Sequence, residues 1–141
     1  MLKSNKMEIQ FLAQSANEAF ARTTVAAFFS QLDPTVEELY DIKMAVSEAV
    51  TNSIVHGYKG TSEGEVTIKC SYEEGHISIE VIDTGKGIEN IEEAMTALYT
   101  TSEDEERAGL GFTVMQSMMD EVFVESKIGE GTSVKMKKSL R

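Results

Sequence analysis

The sequence predicts an α+β fold: a two-layer sandwich in which a mostly antiparallel (mixed) sheet carries three helices on one face. Three observations point there. Five short stretches alternate apolar and polar residues, as half-buried strands do. Helical stripes separate them so that the order is β-α-α-β-β-α-β-β. Two of the strand pairs are joined by short turn-like segments, which suits antiparallel hairpins.

The first strand is "MEIQFLA", Met7 to Ala13. "SANE" then offers a capping box, with Ser15 as N-cap and Glu18 three residues on. The helix it opens, Asn17 to about Gln31, presents Phe20, Thr24, Ala27 and Phe28 near one face. Asp33-Pro34 restarts the chain, with Pro34 suited to a first helical turn. The second helix is predicted from Thr35 to about His56, with Val36, Leu39, Ile42, Val46, Ala49, Val50 and Ile54 as its stripe and Gly57 as its stop. "EVTIKCSY" and "HISIEVID" form a hairpin through Glu73–Gly75. A weak helix, "IEEAMTALY", precedes the polar run "TTSEDEERAG". A third amphipathic helix spans about Gly111 to Asp120, through Phe112, Met115, Met118 and Met119. "EVFVESK" and "TSVKMKK" close the chain around "IGEGT".

The 141 residues hold no repeat and no Pro/Gly-rich linker, so residues 1–141 are expected to form one domain. Net charge is −11, from 24 acidic and 13 basic residues, and the only basic cluster is the terminal "KMKKSLR". Direct nucleic-acid binding needs a basic face, so it is not expected, and the tail reads as a solvated last strand. No apolar run approaches the ~20 residues of a membrane span, and the N-terminus lacks a signal peptide's apolar stretch. With Cys70 the only cysteine, a reducing cytoplasm is the expected setting.

Three stretches carry candidate chemistry, and each also has a plain structural reading. In "SEAVTNSIVHG", Glu48 and Asn52 stand four apart and project from one helix face beside the apolar stripe. An acid and an amide there suit a metal ion bound to phosphates, or simply a surface pair. In "VIDTGKGI", Asp83 ends a strand, and Gly85 and Gly87 permit unusual backbone. That is either a turn or an acceptor for an exocyclic amine, with room for a flat ring. In "ERAGLGF", Gly109 and Gly111 precede a helix pattern, where free N–H groups favour phosphate, and Arg107 lies two residues upstream. The alternative is an N-terminal turn. There is no Walker-type phosphate loop, no dinucleotide-binding fingerprint and no protein-kinase motif set.

Together, "SEAVTNSIVHG", "DTGKGI", "GLGF" and "GTSV", in that order, resemble the ATP-binding (Bergerat) motifs of the GHKL superfamily. Within it the whole chain, including "ANEAFAR" and "LDPT", resembles the anti-sigma factor serine kinases of spore-forming bacteria. That resemblance implies ATP or ADP with Mg²⁺, bound by Asn52 as metal ligand, Asp83 at the adenine amine, and Gly85 and Gly87 along the base. Gly109, Leu110 and Gly111 would wrap the phosphates, and Thr132 would reach adenine through water. Glu48 would be the catalytic carboxylate, with Arg107 near the terminal phosphate, and the run between Tyr99 and Ala108 would be a lid. Arg22 would face protein partners: a sigma F-like sigma factor and an anti-anti-sigma antagonist phosphorylated on serine. A homodimer is implied too. The segment "ALYTTSEDEE" departs from the pattern, lacking a proline and a phenylalanine near Ala97 and Tyr99. No phosphoacceptor-histidine hairpin precedes the domain, so the acceptor must be another protein. A stress-type sigma factor, or a nucleotide held only as a structural cofactor, are the competing readings.

Overall fold

A computed structural model of the protein describes residues 3–57, 64–85 and 103–140. Strand β1 (Ser4–Leu12) leads into helix α1 (Ala16–Phe29), a 3₁₀ turn (Ser30–Leu32) and helix α2 (Val36–Asn52), whose last turn continues as a π-helical turn (Ser53–Gly57). Strands β2 (Glu65–Glu73) and β3 (His76–Asp83), helix α3 (Glu103–Met118) and strands β4 (Glu121–Lys127) and β5 (Gly131–Ser139) follow. The sheet order is β1-β2-β3-β5-β4. Every pairing among the described strands is antiparallel. The predicted "IEEAMTALY" helix lies outside the described residues.

The hairpins behave as their sequences demand. Glu73 pairs with His76 across a two-residue turn, and both turn residues take positive φ, Glu74 at 48° and Gly75 at 82°. Such turns match the right-handed strand twist. Alternation then sends Val66, Ile68, Cys70 and Tyr72 of β2, and Ile77, Ile79 and Val81 of β3, into the core beneath the helices. Lys135 and Lys137 alternate outward on β5, so most of the basic tail is a solvated strand face. Lys138 instead turns in, donating to the Met118 carbonyl at the end of α3 (2.8 Å) and pairing with Asp41 of α2 (3.4 Å). A cation there complements the helix dipole.

The helices differ from expectation in informative ways. Ser15 adopts helical backbone and makes no side-chain cap, so the capping box predicted there is absent. The box stands instead on α2, where Glu38 N–H donates to Thr35 Oγ1 (3.0 Å) and Thr35 N–H to Glu38 Oε1 (2.8 Å). Pro34 therefore precedes the N-cap and is not in the first turn. On α1 the buried residues are Ala21, Val25, Ala26, Phe28 and Phe29, while Ala27 is exposed and Phe20 is 52% exposed against the rim residue Phe11. The stripe is turned by about one residue because Phe28 and Phe29 both pack toward Tyr72 of β2. Val36, placed in the α2 stripe by its spacing, is exposed, since the first turn of α2 overhangs the core.

Candidate functional site

Helix α2 turns Ala45, Val46, Ala49 and Val50 into the core, which leaves Glu48 and Asn52 half-buried at its edge. Facing them is Gly111 of α3. A Cβ at Gly111 would stand 3.0 Å from Asn52 Nδ2, 3.1 Å from Glu48 Oε2 and 3.2 Å from Asn52 Oδ1. Any larger residue would press on both polar side chains, so this glycine is a matter of close approach. Asn52 Nδ2 is buried and has no hydrogen-bond partner among the described residues. A buried amide left unmatched is uncommon and calls for a partner beyond these residues.

The glycines sit differently from the sequence reading. Helix α3 begins at Glu103, so Gly109, Leu110 and Gly111 lie inside it and not at its N-terminus. Glu and Arg are strong helix formers, and they carry the helix upstream through "EDEER". The phosphate argument from free N–H groups at a helix start therefore does not apply to this arrangement. What the structure shows at Gly111 is a close approach that lets Glu48 and Asn52 pack against the backbone of α3. The side chains of Arg107 and Leu110, all of Gly87, and the span 86–102 that includes the start of the predicted lid, lie outside the described residues and side chains.

Immediately after Asn52 the helix loosens into its π turn, a feature that often marks functional sites. The first residue of that turn, Ser53, is buried, and its side chain hydrogen-bonds Asp83 at the end of β3. Asp83 Oδ1 also accepts from the N–H of Gly85 (3.0 Å) and of Thr132 (3.3 Å). The Gly85 bond is a turn bond, so the turn reading of Asp83 is part of the truth. Yet a carboxylate has about four acceptor positions, and three donors leave room for one more, aimed by the other three. Only 5% of Asp83 is exposed. Burial pushes its carboxyl above the usual range, although the Gly85, Ser53 and Thr132 bonds each pull it down.

Across the sheet Thr132 pairs with Asp83, and Ser126 on β4 steadies it. Ser126 Oγ donates to the Gly131 carbonyl (3.0 Å) and lies 2.8 Å from Thr132 Oγ1. Since Ser126 gives its single proton to the carbonyl, Thr132 donates to Ser126 and keeps its oxygen as an acceptor. Gly131 has φ +107°, and a Cβ there would run into the Asp83 carbonyl and Thr84 Cα. The "GTSV" turn thus lies directly on the Asp83 strand end.

Asp83, Ser53, Asn52, Glu48 and Gly111 thus run from a buried carboxylate to an acid–amide pair. Burial, and then the negative charge of Glu18, raise the Glu48 carboxyl above its ordinary value. A raised carboxyl is a better proton acceptor than an ordinary one. Burial pushes the Cys70 thiol to about 12, so it offers no thiolate. The side chain of Arg22, expected to face protein partners, is 40% exposed, and its Nε lies 3.3 Å from Glu18 Oε2. Ser53 and Ser126 were not legible as site residues: a serine signals nothing until the fold sets it beside a carboxylate or a threonine.

Comparison with known proteins gives the family. Residues 11–138 match the histidine kinase-like ATPase domain. The anti-sigma F factor of Clostridium acetobutylicum is 60% identical over 136 residues, covering 96% of this chain and 94% of that one. The chain belongs to the anti-sigma F factor family of histidine kinase-like ATPase domains. Another member, from a Thermoanaerobacter species, is 62% identical over 137 residues, covering 97% and 95% of the two chains. The crystal structure of the RsbU and RsbW domains of a Mycobacterium tuberculosis protein superposes with a TM-score of 0.70 at 19% identity, covering 96% of this chain and 32% of that one, which bears on the fold alone. For this anti-sigma F family member, no helix among the described residues is long and apolar enough to cross a membrane.

The site fits a nucleotide with a magnesium ion. Among the described residues no cluster of three His, Cys, Asp or Glu could cage a metal. Mg²⁺ asks for no cage: it keeps several waters and takes one or two protein ligands with the substrate's phosphates. The amide oxygen of Asn52, whose nitrogen is unmatched among the described residues, would suit such a role.

A base-reading Asp83 would make Asp83→Asn lose about 10- to 100-fold in ATP affinity, since an N–H₂ would then face an exocyclic amine across a desolvated contact. It should also change stability in a defined sense. A carboxyl whose folded value is raised binds its proton more tightly in the folded state, so stability falls as pH climbs from the ordinary aspartate range to the raised value. In Asp83→Asn that decline should disappear, which urea titrations across acidic pH would show.

Proposed function

We propose that this protein holds a sigma F-like sigma factor away from RNA polymerase, and that with MgATP it phosphorylates a serine of its anti-anti-sigma antagonist, as a cytoplasmic homodimer. The observation that carries the kinase half is the position of Glu48, a half-buried carboxylate beside Asn52 and against Gly111. A protein that only sequestered a sigma factor has no use for a proton acceptor there. The anti-sigma F names of the relatives support the sigma-factor half.

In this reading Asp83, held by Ser53, Gly85 and Thr132, accepts from the adenine amine, while Thr132 offers an acceptor to an ordered water. Gly85 and Gly87 leave space for the ring. Asn52 holds the Mg²⁺, which when bound neutralises charge on the phosphates. Gly109, Leu110 and Gly111 line the phosphates and Arg107 approaches the terminal one. Glu48 takes the proton of the antagonist serine as its oxygen attacks the γ-phosphorus, leaving ADP. Transfer of this kind depends on positioning and charge more than on covalent steps.

The test is incubation of the full chain with γ-labelled ATP and the antagonist, followed by mapping of the label. Serine phosphate on the antagonist is expected; label on the protein itself, or none anywhere, contradicts the reading. Arg22→Glu should leave ATP affinity unchanged and weaken capture of antagonist or sigma factor about tenfold or more, since a charge reversal at a docking contact acts on the complex alone. Equal capture would remove Arg22 from the interface.

A further inference from the structure

Three polar residues stand in one row across the core face of the sheet. Asp83 pairs with Thr132 across β3 and β5, and Thr132 pairs with Ser126 across β5 and β4. Two residues away along the strands, the neighbouring row on that face is Val81, Val134 and Val124, all in the core or packed against it. The polar row therefore closes the apolar face at the Asp83 end. Its protons can be placed one by one. A carbonyl only accepts, so the 3.0 Å contact of Ser126 Oγ with the Gly131 carbonyl uses the Ser126 proton. The 2.8 Å contact between Ser126 Oγ and Thr132 Oγ1 then uses the Thr132 proton. Thr132 is left with an acceptor to offer and no donor. Asp83, whose carboxylate takes the N–H groups of Gly85 and Thr132 and the Ser53 side chain, is an acceptor too. The Gly131 backbone lies against the Asp83 carbonyl, so the group that orients Ser126 is itself held in place.

We propose that Ser126 sets the base specificity of the site: by holding the Thr132 hydroxyl as an acceptor, it selects a purine with an amine at C6 over one with an oxygen there. This rests on the nucleotide reading of Asp83 and Thr132. Ser126 acts through Thr132 and is a positioning residue. A water between Thr132 and the base must give one proton to Thr132, which leaves its other proton for the ring. In a 6-amino purine, the ring nitrogen beside the amine, N1, accepts that proton while the amine donates to Asp83. A 6-oxo purine reverses both contacts. Its oxygen meets the carboxylate, and its N1–H meets a proton of the water. Without the Ser126 hydroxyl, Thr132 is free to turn its own proton to the water, and the water can then accept from N1–H. One of the two mismatches is relieved, and the other, at Asp83, remains.

The experiment measures binding of ATP and of inosine triphosphate, each with Mg²⁺, to the full chain by calorimetry. The wild type should prefer ATP, and Ser126→Ala should narrow the ratio of the two affinities about tenfold, the order expected for one hydrogen bond. Ser126→Thr keeps the hydroxyl and should keep the ratio. Ser126→Cys fills nearly the same space with a weak hydrogen-bonding group, and should behave as Ser126→Ala if that variant does not fold. A residue that only supported the strand would weaken both nucleotides alike when removed. An equal loss for both, or an unchanged ratio, therefore overturns the proposal, as does a ratio that falls in Ser126→Thr as far as in Ser126→Ala. A wild type that binds neither nucleotide contradicts the nucleotide reading itself, whereas binding with the same preference in wild type and Ser126→Ala contradicts the role of Ser126 alone.

Discussion

Glu48→Gln is expected to bind MgATP as the wild type does, to capture sigma factor as well, and to phosphorylate the antagonist about 10²–10⁴-fold more slowly. Glutamine keeps the volume that fills the space against Gly111, so the packing of α2 on α3 is preserved. What disappears is the basic oxygen, together with its interaction with Glu18. The variant would be a sequestering protein unable to switch off its own antagonist. Single-turnover assays separate this outcome from a binding defect. A variant with the wild-type rate would show that Asn52 and its metal ion carry the reaction by positioning alone. One that lost ATP and sigma factor together would make Glu48 a structural residue.

Gly131→Ala is expected to be the most destabilising small change in the described structure, at about 3 kcal/mol or more. Two effects combine there. The backbone at φ +107° is one that alanine rarely adopts, and the new methyl would meet the Asp83 carbonyl and Thr84 Cα, neither of which can move without breaking the β3–β5 register. Gly129 provides the control. It has φ +80° but nothing lies within 4 Å of its added Cβ, so Gly129→Ala should lose only about 1 kcal/mol of conformational preference. Chemical denaturation of both variants measures the difference. Because Gly131 lies on the Asp83 strand end, its variant should also lose nucleotide affinity under conditions where it remains folded.

The sheet was legible in the sequence because its alternation is clean: Val66, Ile68, Cys70 and Tyr72 cannot all be buried in any other register. Helix α2 was legible for the same reason at the helical period. Helix α1 was read one residue out because Phe20 resembles a core residue, whereas it packs edge-on against Phe11 at the rim (6.4 Å between centroids). The two Ser/Thr-x-x-Glu boxes are indistinguishable as strings; only the extended backbone of Thr35, fixed by the turn before it, makes the second one real. The site was half legible. Glu48, Asn52 and Asp83 stand out because each residue type is out of place where it occurs, an amide within a helix and a carboxylate ending an apolar strand. Gly111 was noticed for the wrong reason, as a helix start, when its value is the space it leaves. Ser53 enters only through Asp83, distant in sequence, and no local pattern announces it.

Thermal unfolding of the full chain with and without saturating MgATP tests the central claim most directly, that the line from Asp83 to Glu48 and Gly111 is a nucleotide site. A ligand at about 100 times its dissociation constant adds roughly 2.7 kcal/mol to the stability of the folded state. For a domain of this size the midpoint should rise by about 5–10 °C, and Asn52→Ala and Asp83→Asn should each lose most of that rise. A midpoint unmoved by MgATP and by MgADP alike would contradict the account.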